Sequence, residues 1–262
     1  MILSVVNEKG GVGKTTTVLS LAAALAEKKK KILVVDLDPQ SNATMGLGIS
    51  SYTLSLMNVL RGEYSIEYVK QATCVPGVDC VPSISDLRKA DLEFSDRFLH
   101  LLLKKAVSEV RGYDYILMDT SPHLGLLCQS AIIASDLVII PIEACDASIK
   151  AYGDVLLSIK NANLAGYSPR VFTLLTRLSL KSKKKNLEYQ EHLRREPTET
   201  FKTCIRETIL FKDAFRSSKP IFFLPRGKNS AGANDYRALA KEVIRVSETK
   251  KPTQHQTAIS RK

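Results

Sequence analysis

The stretch ILSVVNEKGGVGKTTT (residues 2–17) constrains the fold more than any other part of the chain. A β-branched apolar run, Ile2 to Asn7, stops at glycines. Beyond them Val18, Leu21, Ala22 and Leu25 recur at helical spacing, the pattern of a buried strand feeding a helix through a glycine loop. The spacing predicts a helix from Lys14 to about Lys29, with the cations of EKKKK in its last turn, where they suit the helix dipole. A loop that wraps backbone N–H groups around a phosphate needs φ freedom, close approach and a helix N-terminus behind it; Gly10, Gly11 and Gly13 supply the first two. In such a loop Lys14 reaches the terminal phosphates and the Thr15 hydroxyl ligates Mg²⁺. The strict G-x-x-x-x-G-K-[ST] pattern is not met, because Glu8 stands at its first glycine, and the loop carries a second lysine, Lys9.

Four more segments read as buried strands: KILVVDLDPQ, YDYILMDTSP, DLVIIPIEA and RVFTLLTR. Near-continuous apolar strands separated by helix-length segments indicate a parallel sheet covered on both faces. The expected fold is therefore α/β, a single three-layer domain over residues 1–249 with a mostly parallel twisted sheet flanked by helices. Residues 250–262, polar, basic and broken by Pro252, are expected to form a disordered tail. SLKSKKKNLEYQEHLRREPTE reads as a basic loop running into a short helix that ends before Pro197. In such sheets ligands bind outside the carboxyl ends of the strands, where the loop, Asp36, Asp38 and Asp119 would all lie.

KGGVGKTTT resembles the deviant phosphate loop of the ParA/MinD superfamily of P-loop ATPases. That resemblance implies a nucleotide-binding loop of Lys9, Gly10, Gly11, Val12, Gly13, Lys14, Thr15 and Thr16, with ATP and Mg²⁺ as cofactors. It gives Lys9 a role: crossing the interface of an ATP-sandwich homodimer to the partner's nucleotide, the electrostatic task of an arginine finger. VVDLDPQSNAT (34–44) resembles the family's first switch, with Ser41 where glycine is usual, a change expected to stiffen the turn. Asp38 would orient the attacking water and help hold the metal through water, and Asp36 would end its strand nearer the magnesium shell. YILMDTSPHLG (115–125) resembles the Walker B strand and second switch, and places Asp119 beside the metal bound by Thr15. Lys9, Lys14 and Asp38 are thus the catalytic candidates, and Thr15, Asp38 and Asp119 the metal candidates. FLPRGKNSAGANDYRALAKEV (223–243) resembles the closing segment, a loop after the last strand that brackets the adenine, with Pro225 and Arg226 as candidates.

The formal net charge of +11 is unevenly placed: residues 1–176 hold 17 Lys and Arg against 18 Asp and Glu, and residues 177–262 hold 21 against 9. A basic third of this kind suits a polyanion, nucleic acid ahead of an acidic membrane surface. CIRETILFKDAFRSSKPI (204–221) resembles the ParA branch's DNA-binding segment. Arg206, Lys212, Arg216 and Lys219 are the first candidates there, followed by Lys183, Lys184 and Lys185. The resemblance implies a short, Soj-like partitioning ATPase that binds DNA nonspecifically as an ATP dimer and is released when a ParB-like centromere-binding partner stimulates hydrolysis. Two alternatives stand beside it, a MinD-like membrane-associated positioning ATPase and a slowly hydrolysing nucleotide-gated scaffold. KPTQHQTAISRK has only Ala258 and Ile259 to insert into a bilayer, so no stable membrane association is expected. With no bilayer-length apolar run and no secretory signal, the expected location is cytoplasmic, on the nucleoid. The five cysteines are odd in number and hold no CxxC pair, which argues against a disulfide framework or zinc ribbon.

Overall fold

The computed structural model describes residues 1–94, 99–179 and 183–249. Strands β1 (Ile2–Val5), β2 (Ile32–Asp36), β3 (Gln71–Ala72), β4 (Val78–Val81), β5 (Tyr115–Asp119), β6 (Leu137–Glu143), β7 (Arg170–Thr176) and β8 (Glu199–Thr200) form one sheet. Their order is β3-β4-β2-β5-β1-β6-β7-β8. Every pairing is parallel except β3 with β4. The helices are α1 (Lys14–Ala26), α2 (Asn42–Gly46), α3 (Leu56–Leu60), α4 (Ile66–Val69), α5 (Ala90–Glu93), α6 (Leu99–Glu109), α7 (Leu126–Ala134), α8 (Asp146–Leu164), α9 (Lys183–Arg195), α10 (Leu210–Arg216) and α11 (Ala231–Glu248).

Successive strand side chains point to opposite faces, and here both faces are apolar. On β2, Ile32 and Val34 pack with α1 and α11, while Leu33 and Val35 pack with α3, α6 and α7. On β5, Tyr115 and Leu117 join the first group, and Ile116 and Met118 the second. This is the three-layer α/β domain expected, with all five expected strands in place. Strands β3, β4 and β8 were not foreseen: β3 and β8 are two residues each, and β4 (VDCV) carries an aspartate inside its four.

Two expectations need correction. Helix α1 ends at Ala26 and has no basic residue in its last turn. Glu27 is its C-cap, and Lys29 adopts φ 60°, so the lysine run forms the turn into β2 rather than the end of the helix. The stretch read as a basic loop is itself helical from Lys183, the start of α9, which does stop before Pro197. A 3₁₀ turn at Ile221–Phe223 precedes the loop into α11. All five cysteines are free. Among the described residues no helix is long and apolar enough to cross a membrane.

That 3₁₀ turn is packed tightly under the chain that leads into α11. A Cβ on Gly227 would lie 1.9 Å from the Ile221 carbonyl oxygen, a backbone atom that cannot step aside alone. Gly227→Ala is expected to destabilise the protein by about 1–3 kcal/mol, the usual cost of overpacking. The check is a lower urea midpoint with an unchanged denaturant slope.

Candidate nucleotide and metal site

The phosphate loop is held at both ends by side chains from neighbouring strands. Asn7 donates its amide to the Pro141 carbonyl at 2.7 Å and accepts from the Lys9 N–H at 2.8 Å. The Thr120 hydroxyl donates to the Val5 carbonyl at 2.8 Å, and the Thr176 hydroxyl to the Val12 carbonyl at 2.8 Å. Gly11 and Gly13 adopt φ 76° and 93°, left-handed conformations that only glycine holds without strain. Gly13 is the N-cap of α1 and brings no side chain to that end, so the first-turn N–H groups are left for an anion. Lys14 is buried and reaches back to donate to the Lys9 carbonyl at 3.2 Å. Burial pushes the Lys14 ammonium below its ordinary range, against the opposing charges of Asp119, Cys128 and Asp38.

Facing the loop are three buried carboxylates, Asp36, Asp38 and Asp119. Asp36 and Asp119 stand side by side at the ends of β2 and β5. Asp36 is fully occupied: it accepts the Thr44 N–H at 2.8 Å, the Thr44 hydroxyl at 2.7 Å and the Asp38 N–H at 3.0 Å. It shapes the loop that carries Asp38, and burial, only partly offset by these bonds, lifts its carboxyl to about 6. Asp119 is the opposite case, since neither of its buried oxygens has a hydrogen-bond partner. Burial pushes its carboxyl well above the ordinary range, and the Asp36 charge adds to this; the Thr15 hydroxyl dipole and Lys14 act against it. Two bare buried oxygens beside Thr15 and Lys14 fit a hydrated divalent cation, which takes oxygen ligands and keeps much of its water. Among the described residues no group of three or more His, Cys, Asp or Glu side chains could hold a metal unaided. Such an ion would complete its shell with phosphate oxygens and water.

Two cavities adjoin at the loop. One, about 270 Å³, is lined by Lys14, Thr15, Asp38, Asn42 and Pro122 together with Gly11, Gly13, Thr16 and Phe215. The other, about 360 Å³, shares those last four residues and extends past Thr176 and Arg177 to Thr208, Phe211 and Tyr236. A polar chamber joined to a more apolar one has the shape that a nucleotide fills, phosphates in the first and nucleoside in the second. A larger cavity of about 830 Å³ lies between α3–α4 and α6, and no phosphate-loop residue lines it.

Lys9 sits at the rim and is folded back onto its own chain. Its ammonium donates to Glu143 at 2.9 Å, to the Cys145 sulfur at 3.0 Å and to the Ser148 hydroxyl at 3.3 Å. Cys145 and Glu143 raise its pKa. Arg177, just after the end of β7, approaches the same Glu143 at 3.6 Å and pairs with Glu207 at 3.2 Å.

Comparison with known proteins agrees with this geometry. A family model described as an AAA domain matches residues 1–167. Soj of Bacillus subtilis, a sporulation initiation inhibitor protein, is 33% identical over 249 residues, covering 92% of this chain and 97% of its own. Cobyrinic acid a,c-diamide synthase from Mycobacterium smegmatis, solved with ADP and magnesium, aligns at a TM-score of 0.81 and 27% identity over 97% of this chain and 98% of that one. The septum site-determining protein MinD of Pyrococcus horikoshii, solved with Mg-ADP, aligns at 0.77 and 26% identity over 94% and 97%. The chain belongs to the ParA/MinD superfamily, near Soj.

Against that superfamily's pattern, Ser41 is the local departure. It holds φ 56°, ψ 31° as the N-cap of α2, a left-handed position natural for glycine, and its hydroxyl donates to the Ser83 carbonyl at 3.1 Å. Pro225 and Arg226 lie on an exposed turn and line neither loop cavity. Among the cations, Lys212, Arg216 and Lys219 are exposed. The Arg206 guanidinium is instead engaged by Asp235 through two bonds of 2.7 Å, and its backbone N–H donates to the same carboxylate at 3.1 Å. The side chains of Lys183, Lys184 and Lys185 lie outside the described residues. No motif or spacing pointed to Asp91, whose two oxygens accept the Leu126 and Leu127 N–H groups and cap α7 behind the second switch. Arg177, Glu143, Phe215 and Tyr236 were also missed.

Because Asp119 is buried without a partner, Asp119→Asn is expected to stabilise the ligand-free protein while removing its response to Mg²⁺. Relief of about 1–3 kcal/mol corresponds to a melting temperature roughly 2–10 °C higher. A carboxyl raised on folding favours the folded state below its unfolded pKa of about 4, and this support is lost as pH rises through the folded value. The gain of the variant over wild type should therefore be largest at pH 8 and vanish near pH 4, as read by paired thermal melts across pH.

Proposed function

We propose that the chain is an ATP-dependent DNA-partitioning ATPase, with an ATPase domain over residues 1–249 and a basic tail over 250–262. The observation that carries this reading is the cavity walled by Lys14, Thr15, Asp38 and the glycine loop, with unpartnered Asp119 behind it and a second lysine at the rim. Residues Lys9 to Thr16 bind the triphosphate, the loop N–H groups and Lys14 taking its β and γ oxygens. Thr15, with Asp38 and Asp119 acting through water, would hold Mg²⁺, which neutralises charge on those oxygens. Asp38 orients the attacking water. Asp36 fixes the loop that carries Asp38 through Thr44.

Lys9 leaves Glu143 and meets the nucleotide of a second copy, so that the ATP state is a homodimer. Nonspecific DNA binding needs several cations to face phosphates at once, and dimerisation doubles their number. Lys212, Arg216 and Lys219, exposed on and after α10, are the leading DNA contacts, with Lys183, Lys184 and Lys185 at the start of α9 as a second group. Arg206, already held by Asp235, serves the fold first. A ParB-like partner stimulates hydrolysis and so releases the protein from DNA. The likeness to Soj supports this branch, and the likeness to MinD supports the shared nucleotide chemistry.

Lys14→Ala should weaken Mg-ATP binding about 100-fold, the scale of losing a charge-assisted contact at a buried site. Asp38→Ala should keep ATP and lower turnover by about 100-fold or more. Lys9→Ala should bind ATP yet stay monomeric with a non-cleavable analogue, as measured by light scattering; dimerisation like wild type would remove the in-trans role. A DNA titration with ATP, ADP and no nucleotide at two salt concentrations tests the whole reading. DNA affinity should require ATP and fall steeply with salt. Binding to competing anionic liposomes in place of DNA would instead assign a membrane-positioning role.

A further inference from the structure

Phe215 lines both cavities at the phosphate loop and is still 49% exposed. It belongs to α10, a short helix seated on the core by buried Ala214 and by Leu210 and Phe211, which are partly buried. Lys212 and Arg216, three residues before Phe215 and one after it, are exposed on the same helix. The Phe211 ring meets Tyr236 edge-on, with centroids 5.7 Å apart at 82°. The Tyr236 hydroxyl bonds to that of Thr17, 3.1 Å away and buried, on the helix that opens at Lys14. One chain of contacts thus joins the phosphate loop, the apolar cavity and a helix bearing two cations.

We propose that Phe215 stacks on the nucleoside and that α10 transmits this contact to Lys212 and Arg216, so that the base as well as the phosphates governs the cationic face. The proposal rests on the nucleotide reading above. A flat base occupying the second cavity while its phosphates occupy the first must pass Gly11, Gly13, Thr16 and Phe215, the four residues common to both. Of these Phe215 alone offers an aromatic face, and a ligand there covers apolar surface that water now touches. Phe215 acts on the nucleoside directly, and on DNA only as a positioning residue.

The chain contains no tryptophan, so Phe215→Trp creates a single emission reporter at this point. Its fluorescence should be quenched by Mg-ATP and Mg-ADP and should not respond to Mg-tripolyphosphate, which fills the phosphate chamber alone. Phe215→Ala should bind ATP about tenfold more weakly, the usual effect of removing one base-stacking aromatic, with tripolyphosphate affinity unchanged. Phe215→Leu, which keeps bulk without the flat face, should fall between. With a saturating non-cleavable ATP analogue, Phe215→Ala should also bind DNA several-fold more weakly although Lys212 and Arg216 remain. A silent tryptophan at ATP concentrations shown by calorimetry to be saturating overturns the stacking contact, as does wild-type ATP affinity in Phe215→Ala. Unchanged DNA affinity overturns the transmission through α10. If calorimetry finds no ATP binding by the wild-type protein, the nucleotide reading itself falls and takes this proposal with it.

Discussion

Everything at the functional edge depends on how two adjacent buried carboxylates, Asp36 and Asp119, are tolerated at the ends of neighbouring strands. Like charges this close in a poorly solvated place repel, and each would rather take up a proton. The fold treats them differently. Asp36 is given three donors, two from Thr44 and one from the Asp38 backbone, and becomes part of the scaffold. Asp119 is given none. Lys14, itself pushed toward neutrality by burial, is the nearest compensation, and it is shared with the Lys9 carbonyl. The protein therefore carries an electrostatic imbalance that a cation with an oxygen-rich ligand would correct. The walls around it are strands with apolar residues on both faces, and they leave little room for the site to relax in another way.

Those walls were the legible part of the sequence. β1, β2, β5, β6 and β7 lie in near-continuous apolar runs of the sequence, which stand out from residue pattern alone. The phosphate loop, Asp38 and Asp119 followed because each lies at a strand end with local chemistry of its own. Other features have no local signature. Asp91 caps a helix 35 residues away, and nothing near it in the chain announces that role. The second cavity is assembled from residues near 11–16, 176–177, 205–215 and 236, a purely tertiary product. Pro225 and Arg226, the adenine candidates that the resemblance implies, line neither chamber at the loop; the more apolar one is walled by Phe211, Phe215 and Tyr236. The end of α1 was misplaced for a different reason. A lysine run is compatible with a last helical turn, but Lys29 in a left-handed conformation breaks the helix to feed β2.

The cations in and next to the basic third of the chain divide in a way that bulk charge does not reveal. Several arginines are committed to carboxylates: Arg206 to Asp235, Arg170 to Glu199, Arg237 to Glu27, and Arg177 to Glu143 and Glu207. The planar guanidinium suits such forked contacts, and these pairs tie loops and helices to the sheet. Lys212, Arg216 and Lys219, with Arg194, Arg195 and Arg226, are exposed on the outer surface instead. Exposed cations of this kind attract phosphate whatever the base sequence.

The contact between Lys9 and Glu143 bears on how readily two copies could close. Its members are each about one quarter exposed, and an ion pair so open to solvent contributes on the order of 0–1 kcal/mol. Breaking it is a small cost beside the charge-assisted bonds that a triphosphate offers. Glu143 would not be left bare, because Arg177 already stands 3.6 Å from it and can take over as Lys9 departs. In the proposed dimer the same carboxylate would hold the lysine inward when the facing nucleotide is absent and release it without stranding a charge, a reversible arrangement that weak, solvent-screened pairing suits better than a buried salt bridge would.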